Sequence, residues 1–327
     1  METRKKFSRD IILLDNVETS VNGIVDKLHN DVLHKLKRFG TVIGISGGID
    51  SAVCMALAAK AFGPGKVLGI MLPEKDSSPE SELLAIDLAN KFGVEVIKED
   101  LTHILSGFGC YERRDEAVRR VFPEFNSATH KMKIGIRQGS IYSNLPPVFY
   151  ITIINEEGIR KEHMLPVKEY LQIVAASNFK QRSRMSMLYY HAELRHYAVV
   201  GTPNKHEHNQ GFFVKYGDGG ADVMPIVNLY KTQVYQLARH LGVTEEIIDR
   251  TPTTDTYTAE QTQEEFFYQM PFELMDTYWF AFENGYPPEI VAEVMGEGLE
   301  RVNTLFRNFE RKIKTTEYLR MSPIKDY

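Results

Sequence analysis

Six consecutive residues, Ser46-Gly-Gly-Ile-Asp-Ser51, concentrate the groups needed to hold a polyphosphate. Gly47 and Gly48 carry no side chain, so their backbone N–H groups can approach phosphate oxygens closely. Ser46 and Ser51 add hydroxyl donors. Asp50 would repel a bare anion, and its sensible role is to hold a Mg²⁺ ion that bridges phosphate oxygens. The loop is not a Walker A sequence, because no Gly-Lys-Ser/Thr follows, and it is not Gly-x-Gly-x-x-Gly. The plain alternative is a connecting turn. The strand before it, the helix after it and the Asp inside it weigh against that reading.

The elements that must position this loop are legible around it. The apolar run Thr41-Val-Ile-Gly-Ile45 reads as a buried strand, and an Ala-rich helix is expected from Ala52 to about Phe62. Strand, glycine turn and helix open a nucleotide-binding unit, with the helix dipole aimed at the anion. The pattern repeats as a strand Val67 to Leu72, a helix Pro79 to Phe92 and a strand Val94 to Ile97. Such alternation predicts a parallel, doubly wound α/β sheet. Upstream, apolar residues recur at helical spacing from about Asp15 to Phe39, with Gly40 as the expected stop. From Ser106 to Pro166 the regularity fails, and the chain reads as an inserted helical segment plus a β-hairpin around Asn155-Glu-Glu-Gly158. A helix from Asn178 to Arg195 and a strand Ala198 to Gly201 resume the pattern. The rest is expected to be helical over Lys231 to Leu241, Glu264 to Asn284 and Pro288 to Lys312, with a terminal arm from Thr315. The whole chain, 1–327, reads as one domain with an insertion at 106–166.

Composition narrows the class. The 327 residues are 43% hydrophobic with a net charge of −5, enough for a sizeable core but without the basic block that attracts nucleic acid. Two distant cysteines, Cys54 and Cys110, supply neither a disulfide framework nor a zinc site. No apolar run is long enough to span a bilayer, and the charged start of the chain lacks a signal-peptide core. A cytoplasmic enzyme without a nucleic-acid or membrane partner is expected.

The loop Ser46–Ser51 resembles the signature of the N-type ATP pyrophosphatases, which have an adenine-nucleotide α-hydrolase-like fold. Within that superfamily, the stretch from Val199-Val-Gly-Thr-Pro-Asn-Lys-His-Glu-His to Tyr-Gly-Asp-Gly-Gly-Ala-Asp222, followed by Leu229-Tyr-Lys231, is similar to ammonia-dependent NAD synthetases. Asn178-Phe-Lys-Gln-Arg-Ser-Arg-Met185 and Thr251-Pro-Thr-Thr-Asp255 resemble two further motifs of that family. The resemblance implies ATP and Mg²⁺ as co-substrate and metal, with Asp50, Glu207 and Lys231 at the catalytic centre and the metal on Asp50 and Glu207. It places Ser46, Gly47, Gly48, Asp50, Ser51, Leu72, Arg182, Thr202, Lys231 and Thr253 around ATP. Phe212, Lys215, Asp218 and Asp222 surround the deamido-NAD. It also implies a homodimer with the dinucleotide across the interface. Ammonia would arrive free or from a separate glutaminase, since no glutaminase domain is recognisable here.

Three departures from that pattern keep a second reading open, an ammonia-dependent amide ligase acting on another carboxylate. They are the long segment between Leu101 and Asn178, the sequence Gln261-Thr-Gln-Glu264 where the family has an Asp, and Gln181 where it has Ala. A non-catalytic nucleotide sensor is a third reading, against which Asp50, Glu207 and Lys231 stand together. Other residues take plainer expectations. His206 and His208 read as solvated loop residues rather than metal ligands, the Arg113-Arg114 and Arg119-Arg120 pairs as a solvated helix face, and Cys54 as a small buried residue. Tyr189-Tyr190-His191 reads as helix packing or dimer surface.

Overall fold

The computed structural model describes residues 5–136, 140–143, 147–253 and 256–325. Four strands, β1 (Thr41–Gly44), β2 (Val67–Met71), β3 (Glu95–Lys98) and a later strand Ala198–Val200, form a wholly parallel sheet. The later strand lies on the far side of β1, next to which the order reverses. Residue alternation assigns the two faces. Ile43, Ile45, Val67, Ala198 and Val200 pack on one side against the helices Val17–Asn30, Ile49–Phe62 and Lys231–Leu241. Val42, Leu68, Ile70 and Val199 point the other way, against Met185, Leu188 and Ala192 of the helix Val167–Arg195. Each such aliphatic side chain, fully withdrawn from water, contributes about 1.5–3 kcal/mol. The doubly wound architecture is therefore as expected.

A second sheet stands beside the first. Its strands are β4 (His130–Ile136), β5 (Phe149–Asn155) and β6 (Arg160–Met164), all antiparallel; the later strand of the first sheet is then β7. The expected hairpin is β5–β6, whereas β4, within the segment expected to be helical, is a strand. Met132 and Ile134 of β4 face Ile153 and Ile151 of β5, and cover Val118, Phe122 and Ile173.

Other boundaries also differ from expectation. The first helix ends through a wide turn at Asp31–Lys35, well before Gly40. Gly40 serves close packing instead, because a Cβ there would lie 2.3 Å from Lys66 O and 2.7 Å from the Tyr197 ring. The helix expected over 178–195 begins at Val167. The segment 264–284 is broken by Gln269, left-handed at φ 62°, and by Pro271, so its main helix is Phe272–Glu283. Gly296 (φ 71°) likewise separates Pro288–Met295 from Leu299–Arg320. That last helix absorbs much of the expected arm. Its Val302, Leu305 and Phe309 join Trp279, Tyr278 and Tyr268 in an aromatic C-terminal core. Among the described residues, no helix is long and apolar enough to cross a membrane.

Candidate functional site

The loop Ser46–Gly48 leaves the C-terminal end of β1, beside the end of β7, at the point where strand order reverses and α/β sheets collect their ligands. Gly47 is left-handed (φ 71°), and a Cβ on it would stand 2.6 Å from Ser81 O. Only glycine meets both demands. Ser46 Oγ and Ser51 Oγ lie 3.2 Å apart, Gly48 N–H donates to Ser46 Oγ, and Ser51 Oγ donates to Gly48 O at 2.9 Å. The loop is thus drawn into a closed turn at the start of the helix Ile49–Phe62.

From β7 the chain passes Thr202 to a short helix, Lys205–Gln210, that carries Glu207. Asn204 caps it. Its Oδ1 accepts the N–H groups of His206 (3.0 Å) and Glu207 (3.1 Å), and Glu207 Oε2 accepts Asn204 N–H at 3.0 Å. The Asn204 amide also donates to Asp50 Oδ1 at 3.3 Å, so one fully buried residue braces both carboxylates. Sequence reasoning assigned Asn204 no role. Its signal was available, since Asn three residues before Glu is a capping-box spacing.

Lys231 begins the helix Lys231–Leu241, is fully buried, and forms an ion pair with Asp50. Burial acts against its charge, yet Asp50 and Glu207 together more than offset this and hold its pKa above that of an ordinary lysine. Glu207 is pushed up to about 8, first by burial and then by Asp50, with Lys231 pulling the other way. The centre therefore holds two carboxylates against one ammonium.

A cavity of about 810 Å³ opens over these groups. Ser46, Gly48, Asp50, Ser51, Leu72, Arg182, Thr202, Glu207, Lys231 and Thr253 line it. Phe212, Lys215 and Asp218 line its other part. Gly47 supports the loop without lining the cavity, and its carbonyl faces Arg250 Nη1 at 3.5 Å. Asp222 is not part of the lining. Its carboxylate accepts Val199 N–H at 2.7 Å and the Tyr189 hydroxyl at 3.2 Å, fastening the edge strand β7. The second half of the Thr251–Asp255 motif, residues 254–255, lies outside the described residues.

Phe212 stacks on Phe267 at 4.4 Å. Lys215 Nζ donates to the carbonyls of Tyr318 (2.8 Å) and Met321 (2.9 Å), so the C-terminal helix closes over this end. Asp218 accepts Val214 N–H at 2.7 Å, and burial raises its carboxyl to about 6. Two arginines that were given no role also line the cavity. Arg250 is held by Ser81 Oγ at 3.0 Å, and Arg184 donates to Leu72 O at 3.2 Å.

Several plainer expectations change. His206 is buried rather than solvated, and its Nε2 meets Asp276 Oδ1 at 2.5 Å. Asp276 also accepts the backbone N–H groups of Lys231 (3.3 Å) and Thr232 (2.7 Å), linking the helices that carry Glu207 and Lys231. His208 is half-buried and stacks on Phe213. Arg114 is buried in ion pairs with Asp76 and Asp115, not on a solvated face. Arg120 pairs with Glu169 at 3.0 Å. Cys54 is buried as expected, and among the described residues no cluster of three or more metal-ligating side chains occurs. His191 packs inside against Glu99, while Tyr190 is exposed.

Comparison with known proteins gives the same direction throughout. The NAD synthase family model matches residues 20–143 and 150–323. The NH3-dependent NAD⁺ synthetase of Mesorhizobium japonicum is 44% identical over 94% of this chain and 96% of its own length. Among solved structures, NMN synthetase from Francisella tularensis superposes with a TM-score of 0.64 at 22% identity, covering 95% of this chain and 98% of that one. NH3-dependent NAD synthetase from Campylobacter jejuni does so at 0.61 and 19%, covering 95% and 100%. These structural likenesses establish the shared fold, that of the adenine-nucleotide α-hydrolases, and the sequence matches establish descent: the chain belongs to the NAD synthase family.

Proposed function

We propose that the chain converts deamido-NAD, ATP and ammonia to NAD, AMP and pyrophosphate. The observation that carries this reading is the convergence of Asp50, Glu207 and Lys231 beside the Ser46–Ser51 loop, in a cavity that continues to Phe212, Lys215 and Asp218. A relative 44% identical along nearly the whole chain bears the NAD synthetase name, which does not favour the alternative of another carboxylate substrate.

The chemistry asks for positioning and charge neutralisation more than for a protein nucleophile. A carboxylate oxygen of the dinucleotide attacks the α-phosphorus of ATP, and pyrophosphate leaves. Ammonia then attacks the acyl carbon, AMP leaves, and a proton is lost as the amide forms. The loop and the N-terminus of helix Ile49–Phe62 receive the phosphates. Lys231, kept charged by its two carboxylate neighbours and lining the cavity, would supply the cation that the departing pyrophosphate needs. Arg250 and Thr253 also line the cavity, and Leu72, Arg182 and Thr202 would surround the remainder of ATP.

The donor set suits Mg²⁺. Two carboxylates share one ammonium, which forms its ion pair with Asp50, and burial beside Asp50 disfavours a second negative charge on Glu207 until a further cation joins the pair. Mg²⁺ takes one or two carboxylates together with phosphate oxygens. Asp50 and Glu207 would hold it, and there it would neutralise charge developing on the phosphates. Phe212, Lys215 and Asp218 would contact deamido-NAD. Asp222, bound to β7, would act on that region from outside the cavity of a single chain. We further read the chain as a single domain with 106–166 inserted, acting as a cytoplasmic homodimer with ammonia free or supplied by a separate glutaminase.

A coupled assay of pyrophosphate and NAD with purified protein, ATP, Mg²⁺, ammonium and deamido-NAD tests the reading. Stoichiometric appearance of both is expected. Pyrophosphate release only with other carboxylates, in a folded protein that binds ATP, would transfer the assignment to the alternative ligase.

A further inference from the structure

Two loops flank the nucleotide cavity, and both are tied to one buried cluster of charges. The first follows β2 and contributes Leu72 and Ser77 to the lining. The second follows Arg250, is described at 251–253 and 256–260, and contributes Thr253 and Tyr257. Lys180, on the long helix Val167–Arg195, reaches both. Its Nζ donates to Asp76 Oδ2 at 2.8 Å in the first loop and to Thr256 O at 3.1 Å in the second. It also stands 2.8 Å from Glu74 Oε1, an ion pair without hydrogen-bond geometry. Arg114, from the helix Cys110–Val121, adds a 2.5 Å bond to the same Asp76 oxygen and is held from behind by Asp115. Tyr111 of that helix donates to Glu74 Oε2 at 2.8 Å. The side chains of Lys180, Arg114, Glu74 and Asp76 are all at most 4% exposed.

The second loop has a further attachment to the small sheet. Met132 N–H in β4 donates to Thr258 Oγ1 at 2.7 Å, and Ala259 N–H donates to Met132 O at 3.0 Å. Lys133 Nζ donates to Glu260 O at 3.3 Å. The edge of β4 away from β5 thus pairs with the loop.

Lys180 borders the cavity, yet its ammonium donates to Asp76 and Thr256 O and is ion-paired with Glu74, which commits its charge to the protein rather than to a ligand. Buried ion pairs stabilise a fold less than apolar side chains of equal volume, but they hold geometry in a directional way. We propose that Lys180 and Arg114 are positioning residues which, together with β4, fix both cavity-flanking loops before any nucleotide arrives. The helix Cys110–Val121 and the small sheet then have a defined task, to preform the walls of the ATP site. The proposal rests on the nucleotide-binding reading of that cavity, and without the brace the nucleotide would have to order the loops itself, weakening its apparent affinity.

Amide hydrogen exchange on the full chain, with and without MgATP, tests this. In the parent the Asp76 and Ala259 amides should exchange slowly and within about twofold of the same rate in both conditions. Thr258→Val removes the hydroxyl that receives Met132 N–H without touching the buried ions. It should speed Ala259 exchange at least about tenfold in the free protein, with protection restored by ATP. The KM for ATP should rise about fivefold with kcat within about twofold, and Thr258→Ser should restore both. Arg114→Met should act likewise on Asp76 where it folds. Free exchange of these amides in the parent until ATP is added would overturn the proposal. So would faster exchange in Thr258→Val with an unmoved KM. A parent that binds no ATP by titration, while its loops are protected, would instead count against the nucleotide reading alone.

Discussion

Removing the charge of Asp218 should make the protein more stable and less active at once. Burial is the largest influence on this carboxyl and lifts it from 3.8 to about 6, against the opposing pull of the Val214 and Gly219 N–H groups and Arg184. A carboxyl that binds its proton more tightly folded than unfolded contributes fully to stability below about pH 4. That contribution is lost as the pH rises through about 6. With about 1.4 kcal/mol for each pKa unit, the difference amounts to roughly 3 kcal/mol at neutral pH. The side chain is only half-buried, and screening by solvent reduces this to about 2 kcal/mol. In Asp218→Asn, the remaining oxygen can still accept Val214 N–H. The variant should therefore match the parent near pH 4, exceed it by about 1 kcal/mol at pH 5 and by about 2 kcal/mol at pH 7.5. Urea titrations followed by fluorescence of Trp279, the sole tryptophan and a buried one, give the midpoints. NAD formation should fall at least about tenfold, because Asp218 lines the part of the cavity proposed to take the dinucleotide. A gap in midpoint that does not widen with pH would refute the electrostatic account. Unchanged NAD formation would remove Asp218 from the substrate site.

Other perturbations have equally direct expectations. Asp50→Asn should lower ATP-dependent product formation by about 10²-fold or more with an unaltered circular dichroism spectrum, and full activity would end its assignment to the centre. Glu207→Gln should lose activity similarly and require more Mg²⁺; an unchanged Mg²⁺ dependence, measured by initial rates, would separate it from Asp50. Gly47→Ala introduces a Cβ 2.6 Å from Ser81 O at a left-handed position, which should cost about 1–3 kcal/mol in a denaturant titration and weaken ATP binding by calorimetry. Both thiols are buried, with burial raising Cys54 well above the usual range and Cys110 to about 11. Iodoacetamide at pH 7.5 should therefore label neither in the native protein and both in urea, as read by mass spectrometry.

The phosphate loop and its sheet were legible because the signal is local. A continuous apolar run, two glycines and an Ala-rich helix lie within a few residues of one another. Strand β4 was missed although Met132, Ile134 and Ile136 alternate with Lys131, Lys133 and Gly135, since a period of two over so short a stretch, downstream of the charged clusters at 112–120, is a weak signal. Arg114 and His206 were misjudged for another reason. Residue type predicts exposure only until a partner is known, and Asp76 and Asp276 stand 38 and 70 residues away. The same holds for Asp222, whose position in a family motif gives no hint that both its oxygens face Val199 and Tyr189. Arg250 carried no pattern of its own, and Arg184 stood inside the Asn178–Met185 motif without a role; the closing of the cavity reveals both.

The reversal of strand order next to β1 also governs how the protein comes into being. β1 pairs with β2 soon after both are synthesised, but its other edge waits for β7, and Asp50 waits for Asn204 and Lys231, 154 and 181 residues further on. Contacts of such separation form slowly, because a long loop must close before any of them is rewarded. A ribosome-bound chain that ends before β7 therefore exposes the apolar edge Thr41–Gly44, a template for wrong pairing, and lacks a nucleotide site. ATP can recognise only a chain that is nearly finished, so the ligand acts on the last stage of folding and selects the molecules in which that long crossover has closed.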